Sequence, residues 1–237
     1  MEKIDSSIPI LKIKLDEKSF NNNLIIKDLA LNVNKGETIS IIGQSGIGKS
    51  TLLKIIAGID LDYKGEVLFN ENQIKSPAKE IALMFQGHVL LPWLRVKSNI
   101  KFICNDISDM EIQSYLDSVG IGSKLNEWPN RLSGGEKARV GLSVALINKS
   151  TVLLLDEPFS DIDMGVKNGI VKLLNEIKLK NNTTILLTTH NIEDALALTG
   201  RVIVFGNKPS SIVFDSIISN EYKDDIRKKI TDILTQQ

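Results

Sequence analysis

The chain has 237 residues, with 29 Lys+Arg against 29 Asp+Glu, 42% hydrophobic and 24% charged. That balance excludes a disordered polyelectrolyte and a generally basic nucleic-acid binder, so no nucleic-acid partner is expected. One cysteine (Cys104) and two histidines (His88 and His190) exclude a disulfide framework and a multi-thiolate metal centre.

The charged opening MEKIDSSIPILKIKLDEKSF lacks an apolar signal core. No stretch approaches the roughly 18 consecutive apolar residues that span a bilayer. The expectation is a chain that stays in the cytosol, carries no fused regulatory domain up to Gln237, and reaches a membrane only by binding something that spans it. Strands are predicted at 10–15 and 24–33, separated by Asn21-Asn22-Asn23. The apolar, β-branched run 37–43 predicts a buried strand ending in glycine. A helix follows, with Leu52, Leu53, Ile55 and Ile56 at helical spacing up to Gly58. Residues 65–69 and 81–85 read as two further strands.

From about Gly87 to Ala145 the pattern is helical, broken at 90–93 and 128–136. Residues 150–158 read as a buried strand, 165–180 as a helix, 183–190 as a strand and 192–199 as a short helix. The runs 201–206 and 210–215 read as closing strands that pair, and 220–237 as an amphipathic surface helix. Strands alternating with helices argue for an α/β sheet with a helical insertion.

Three segments carry chemistry. Gly43, Gln44, Ser45, Gly46, Ile47, Gly48, Lys49, Ser50 and Thr51 fit the phosphate-binding loop pattern, between a strand and a helix as that reading requires. Glycines let successive N–H groups face one anion, and the helix start adds partial positive charge. Lys49 would reach the β- and γ-phosphates of a nucleotide, and Ser50 would place its hydroxyl on Mg²⁺. Asp156 and Glu157 end an apolar strand, where paired acids are costly unless a cation or water uses them; the other reading is a solvated acidic turn. Beside a phosphate loop, Asp156 would hold Mg²⁺ through its shell and Glu157 would polarise an attacking water. Leu132-Ser133-Gly134-Gly135-Glu136 precedes a helix and reads either as a second anion-binding helix start or as a capping box without ligand.

In order and spacing, these segments resemble the nucleotide-binding subunit of ATP-binding cassette (ABC) transporters over roughly residues 10–215. Walker A is similar to 43–51, the Q-loop glutamine to Gln86, the signature to LSGGE at 132–136, and Walker B to VLLLD ending at Asp156. The D-loop is similar to Ser160-Asp161-Ile162-Asp163 and the switch histidine to His190. The resemblance implies an α/β P-loop NTPase with a RecA-like core of ABC type. It implies an N-terminal antiparallel β subdomain and an α-helical subdomain at about 87–145, inserted in one domain covering 1–237.

By the same resemblance, ATP and Mg²⁺ bind at 43–51, Asp156 and Gln86. Glu157, His190 and Gln86 are catalytic, and Phe20 stacks on adenine. Ser133, Gly134 and Gly135 of a second copy close over the γ-phosphate, so the expected partners are a second copy, transmembrane permease subunits and, indirectly, a substrate-binding protein. The location implied is the cytoplasmic face of the membrane. LLPW at 90–93, DEPF at 156–159 and THNIEDAL at 189–196 resemble the importer ATPases for nitrate, sulfonate, taurine and thiamine-precursor pyrimidines. LLPW reads either as permease contact or as an anchor packing the helical insertion.

The pattern is departed from at Glu136, where Gln is common, at the D-loop SDID, at Val144 in a slot usually held by arginine, and at Gly87-His88. A P-loop kinase would not need LSGG, ABC-type DNA-repair proteins carry long coiled coils, and translation-type ABC proteins carry two cassettes. The remaining alternative is a mechanical ABC ATPase coupled to a non-import membrane complex.

Overall fold

The structure, a computed structural model, describes residues 8–87, 90–104, 106–198 and 200–236. The chain opens with β1 (Leu11–Phe20) and β2 (Asn23–Val33), then runs through β3 (Thr38–Ile42) into α1 (Lys49–Ile56). β4 (Lys64–Phe69) and the short β5 (Asn72–Gln73) complete a four-stranded antiparallel sheet in the order β2-β1-β4-β5. β6 (Ile81–Met84), β7 (Val152–Asp156), β8 (Thr184–Thr189), β9 (Arg201–Gly206) and β10 (Ser211–Ile217) join β3 in a six-stranded sheet, order β10-β9-β3-β8-β7-β6. In that sheet only β10, on β9, pairs antiparallel. β3, β7 and β8 are buried along their whole lengths, as their unbroken apolar and β-branched runs require of strands covered on both faces.

Between β6 and β7 the chain forms α2 (Val96–Ile103), α3 (Asp109–Ser118) and α4 (Gly134–Ile147). Val96, Ile100, Ile112, Leu116 and Leu142 share one apolar cluster with Leu153 and Leu155 of β7. α5 (Met164–Asn181) adds Ile170 and Leu174 to that cluster. α6 (Ile192–Ala197) and α7 (Lys223–Thr235) close the other end, where Ile226 and Ile230 pack on Leu196 and Val204. His88, Thr199 and Gln237 lie outside the described residues.

Two departures from the sequence reading have physical causes. β5 has two residues, too few to show a period. β1 runs to Phe20 because it carries irregularities, with register shifting between Leu15 and Glu17 against β4 and between Lys18 and Ser19 against β2. Leu11, Ile13 and Leu15 face inward; after the shift Lys18, not Glu17, is the buried residue. A bulge moves the parity of a strand by one, which strict alternation does not reveal.

Polar ties set the two sheets against each other. Arg201 donates through Nη1 to the Asn32 carbonyl (3.0 Å) and Glu37 Oε1 (3.3 Å), and through Nε to Asp215 Oδ1 (2.6 Å). The Ser210 amide donates to the Ile25 carbonyl at 2.7 Å, and the Lys27 amide returns a bond to the Ser210 carbonyl at 3.1 Å. The start of β2 is thereby held beside the turn between β9 and β10, whose Ser210 hydroxyl also donates to the Ile47 carbonyl in the loop that follows β3.

The LLPW stretch is fixed by one buried side chain. Asn99 of α2 is 1% exposed; its Oδ1 accepts from the Leu91 amide (2.6 Å) and its Nδ2 donates to the Leu94 carbonyl (2.7 Å). Trp93 in the same turn stays 68% exposed, so it is not the anchor; Asn99 is. Asn99→Ala should therefore cost about 1–3 kcal/mol, the scale of leaving buried backbone groups unpaired. Urea denaturation should read that loss, with faster amide exchange confined to 91–95; unchanged stability and exchange would contradict the anchoring role.

Candidate active site

The loop from Gly43 to Gly48 leaves the carboxyl end of β3 and enters α1, at the edge where ligands sit in open parallel sheets. Gly48, the residue before α1, has φ 110°, a left-handed geometry that a side chain at this position would strain. Within α1 no acidic residue occupies the first turn, so the helix start keeps its positive character. Lys49 is 4% exposed, and its Nζ donates to the carbonyls of Gly43 (2.7 Å) and Gln44 (2.9 Å). Burial pushes the pKa of this ammonium down, while the carboxylates of Glu157 and Asp156 pull it back up. A further anion here favours the charged form.

Behind the loop sits a buried carboxylate. Asp156 ends β7 beside Thr188 of β8, its partner in register. Its Oδ1 accepts from Ser50 Oγ at 2.9 Å and from Thr188 Oγ1 at 2.6 Å. β8 lies between β3 and β7, so Thr188 joins the phosphate loop's strand neighbours to the acid. The next residue, Glu157, has φ 49°, a left-handed conformation that costs of order 1–3 kcal/mol in a non-glycine residue. Its amide is held by the Thr188 carbonyl and by Thr188 Oγ1, each at 3.2 Å. His190, one residue past β8, meets the Glu157 carboxylate with Nδ1 3.1 Å from Oε2. Glu157 is mostly buried and His190 mostly exposed, so the ring covers the carboxylate from the solvent side.

A cleft of about 250 Å³ is lined by Phe20, Ile25, Ser45, Gly46, Gly48, Lys49, Ser50, Thr51, Gln86 and Glu157. Segments widely separated in sequence thus converge: the end of β1, the start of β2, the loop into α1, the second residue after β6 and the residue after β7. Gly43 and Gln44 contribute their carbonyls to Lys49, and the Ile47 carbonyl accepts from the Ser210 hydroxyl, which aims it away from Gly48's amide. Ser133, Gly134 and Gly135 do not line this cleft. Ser133 caps α4 through a reciprocal pair with Glu136, whose carboxyl is held below its usual range by the Ser133 amide first and then by Lys124. A Cβ on Gly135 would lie 2.2 Å from the Asp161 carbonyl, so only glycine lets the start of α4 pack on the 160–163 turn. The cleft and the start of α4 are two separate surfaces of this chain.

Ser50 Oγ, Asp156 Oδ1 and the Gln86 side chain supply oxygen ligands of the kind Mg²⁺ takes, fewer than six, which leaves room for phosphate and water. The residue set therefore fits a magnesium nucleotide. Thr188 was not singled out by sequence; its signal is a threonine facing an acid across the register of two adjacent buried strands.

A family model described as ABC transporter matches residues 26–160. The chain is 37% identical over 204 residues to aliphatic sulfonates import ATP-binding protein SsuB 1 of Pseudomonas savastanoi pv. phaseolicola (strain 1448A / Race 6), covering 86% of this chain and 83% of the relative. It is 38% identical over 199 residues to nitrate transport protein NasD of Klebsiella oxytoca, covering 80% and 76%. Its fold is similar to the dimeric post-hydrolysis state of the ATP-binding cassette MJ0796 bound to ADP and Pi, with a TM-score of 0.77 at 26% identity over 89% of this chain and 99% of that one.

The Thr188 hydroxyl donates to the Asp156 carboxyl group and accepts from the Glu157 amide. Thr188→Val keeps the volume and removes it, leaving Asp156 with one donor fewer in a buried position. The variant should lose about 1–3 kcal/mol of stability, read by chemical denaturation; a change below about 0.5 kcal/mol, the scatter of surface substitutions, would contradict the role.

Proposed function

Because the chain belongs to the ABC transporter family, we propose that it is the ATP-binding and ATP-hydrolysing subunit of an importer for a small solute of the sulfonate or nitrate class. The observation that carries this is the convergence of Lys49, Ser50, Gln86 and Glu157 on one cleft, with Asp156 bonded to Ser50 behind it. The relatives' names supply the import direction and the solute class.

The chemistry follows from the residues. The amides of the loop and the start of α1 face the phosphates, and Lys49 gives up its two carbonyl partners for the β- and γ-oxygens. Mg²⁺, when bound by Ser50, Asp156 and Gln86, neutralises phosphate charge. Glu157 accepts the proton of a water aligned with the γ-phosphorus, and His190 holds the Glu157 carboxylate in place. Phe20, 48% exposed at the cleft rim, stacks on the base.

The γ-phosphate side of the cleft is open in one chain. Ser133 and Gly134, exposed elsewhere on the chain, close it in a second copy together with the buried Gly135, so ATP joins two subunits and hydrolysis releases them. No helix among the described residues is long and apolar enough to cross a membrane. The subunit sits peripherally on the cytoplasmic face, bound to permease subunits that receive solute from a substrate-binding protein. The helical stretch at about 87–145 carries the contact: Trp93 and Phe102, each 68% exposed, offer apolar surface there.

Glu157→Gln keeps the shape but cannot take the proton. Turnover should fall by about a hundredfold or more, the scale of lost general-base catalysis, while ATP with Mg²⁺ should convert the isolated variant from monomer to dimer in light scattering. Normal hydrolysis, or a monomer at saturating ATP, would overturn the water-activating role or the shared site respectively.

A further inference from the structure

Lys18 is the largest fully buried side chain in the described structure, 1% exposed, in a position that alternation along β1 would assign to solvent. A buried ammonium is costly unless every donor is used. Its Nζ donates to Asp60 Oδ1 at 2.8 Å and to the Asp62 carbonyl at 2.6 Å, both in the connection from α1 to β4. The same Nζ lies 4.3 Å from the centroid of the Phe20 ring. The register shift between Lys18 and Ser19 turns the end of β1, and across it the Lys18 ammonium meets the Phe20 ring.

We propose that Lys18 is the positioning residue for base binding: its ammonium clamps one face of the Phe20 ring so that the other stands as a fixed platform for a purine. This rests on the nucleotide reading above and adds what that reading lacks, a reason for a half-exposed phenylalanine at a strand end to keep one orientation. A cation over one face also draws π density from the ring, which favours stacking of an electron-rich base on the other. The anchor is rigid because its acceptors belong to the segment leaving α1, the helix whose first residues hold the phosphates. Both ends of a bound nucleotide are thereby referred to one element. Lys18 does not line the cleft, so it acts only through Phe20.

The test separates base from phosphate. The affinities of Mg-ATP and of inorganic tripolyphosphate with Mg²⁺ are measured by calorimetry on the wild type, Lys18→Met and Lys18→Gln. Gln can still donate to the Asp62 carbonyl without charge, and serves where Met does not fold. The loss of the cation should weaken ATP by about three- to tenfold, the scale of a desolvated cation–π contact, and leave tripolyphosphate unchanged. In a Phe20→Ala background the same substitution should cost ATP nothing further. Equal losses for ATP and tripolyphosphate, or ATP affinity within twofold of wild type, would overturn the positioning role. Wild-type protein that binds tripolyphosphate as tightly as ATP would overturn the base site itself, and a wild type that binds neither would overturn the nucleotide reading; the inference falls with either.

Discussion

The carboxylate of Asp156 is the constraint on which the site depends. It is 4% exposed at the end of a strand otherwise made of valine and leucine. A carboxyl group there is tolerated only with hydrogen bonds on it, and leaving it a partner short costs of order 1–3 kcal/mol. Ser50 and Thr188 provide those bonds, and in doing so fix three things. Ser50 ties the acid to the first turn of α1, Thr188 ties it to β8, and the β7–β8 register then places Glu157 against the Thr188 backbone. A buried acid that serves only stability would be better replaced by an apolar residue. Its position beside a phosphate loop supports the magnesium-ligand role proposed above.

The same economy fits the proposal that one chain holds only half of the site. The phosphate loop holds its lysine by hydrogen bonds to its own carbonyls, and the glycines of α4 allow close packing against the 160–163 turn. Each of the two surfaces is thus held by contacts of its own, and the start of α4 is not among the residues that line the cleft. That turn carries strain of its own at Asp161, with φ 57°. A segment that is strained, exposed and packed on the glycines is suited to sense whether a second copy is present.

Much of the fold was legible because its strands are fully buried and their apolar runs are unbroken; β3, β7 and β8 coincide closely with the runs read from sequence. The phosphate loop was legible because glycine, lysine and serine at fixed spacing leave few other readings. What was hidden depends on register. Alternation continued from Leu11, Ile13 and Leu15 would turn Lys18 to solvent, and the irregularities in β1 reverse that parity. Thr188 looked like an ordinary strand threonine because its role exists only once β8 lies beside β7. The Glu at 136 read as a departure, yet its carboxylate completes a capping box with Ser133. Pairing across strands is a property of the folded chain, and no spacing along the sequence encodes it.

The central claim is that Asp156 is held in the core in order to bind a cation beside phosphate. The direct measurement is the ATP affinity of the wild type and of Asp156→Asn, each with Mg²⁺ and with EDTA. The account predicts that Mg²⁺ tightens ATP binding to the wild type and has little effect on Asp156→Asn, whose affinity in EDTA stays near the wild-type value. Wild-type affinity indifferent to Mg²⁺, or an Asp156→Asn variant that keeps the full Mg²⁺ effect, would contradict it.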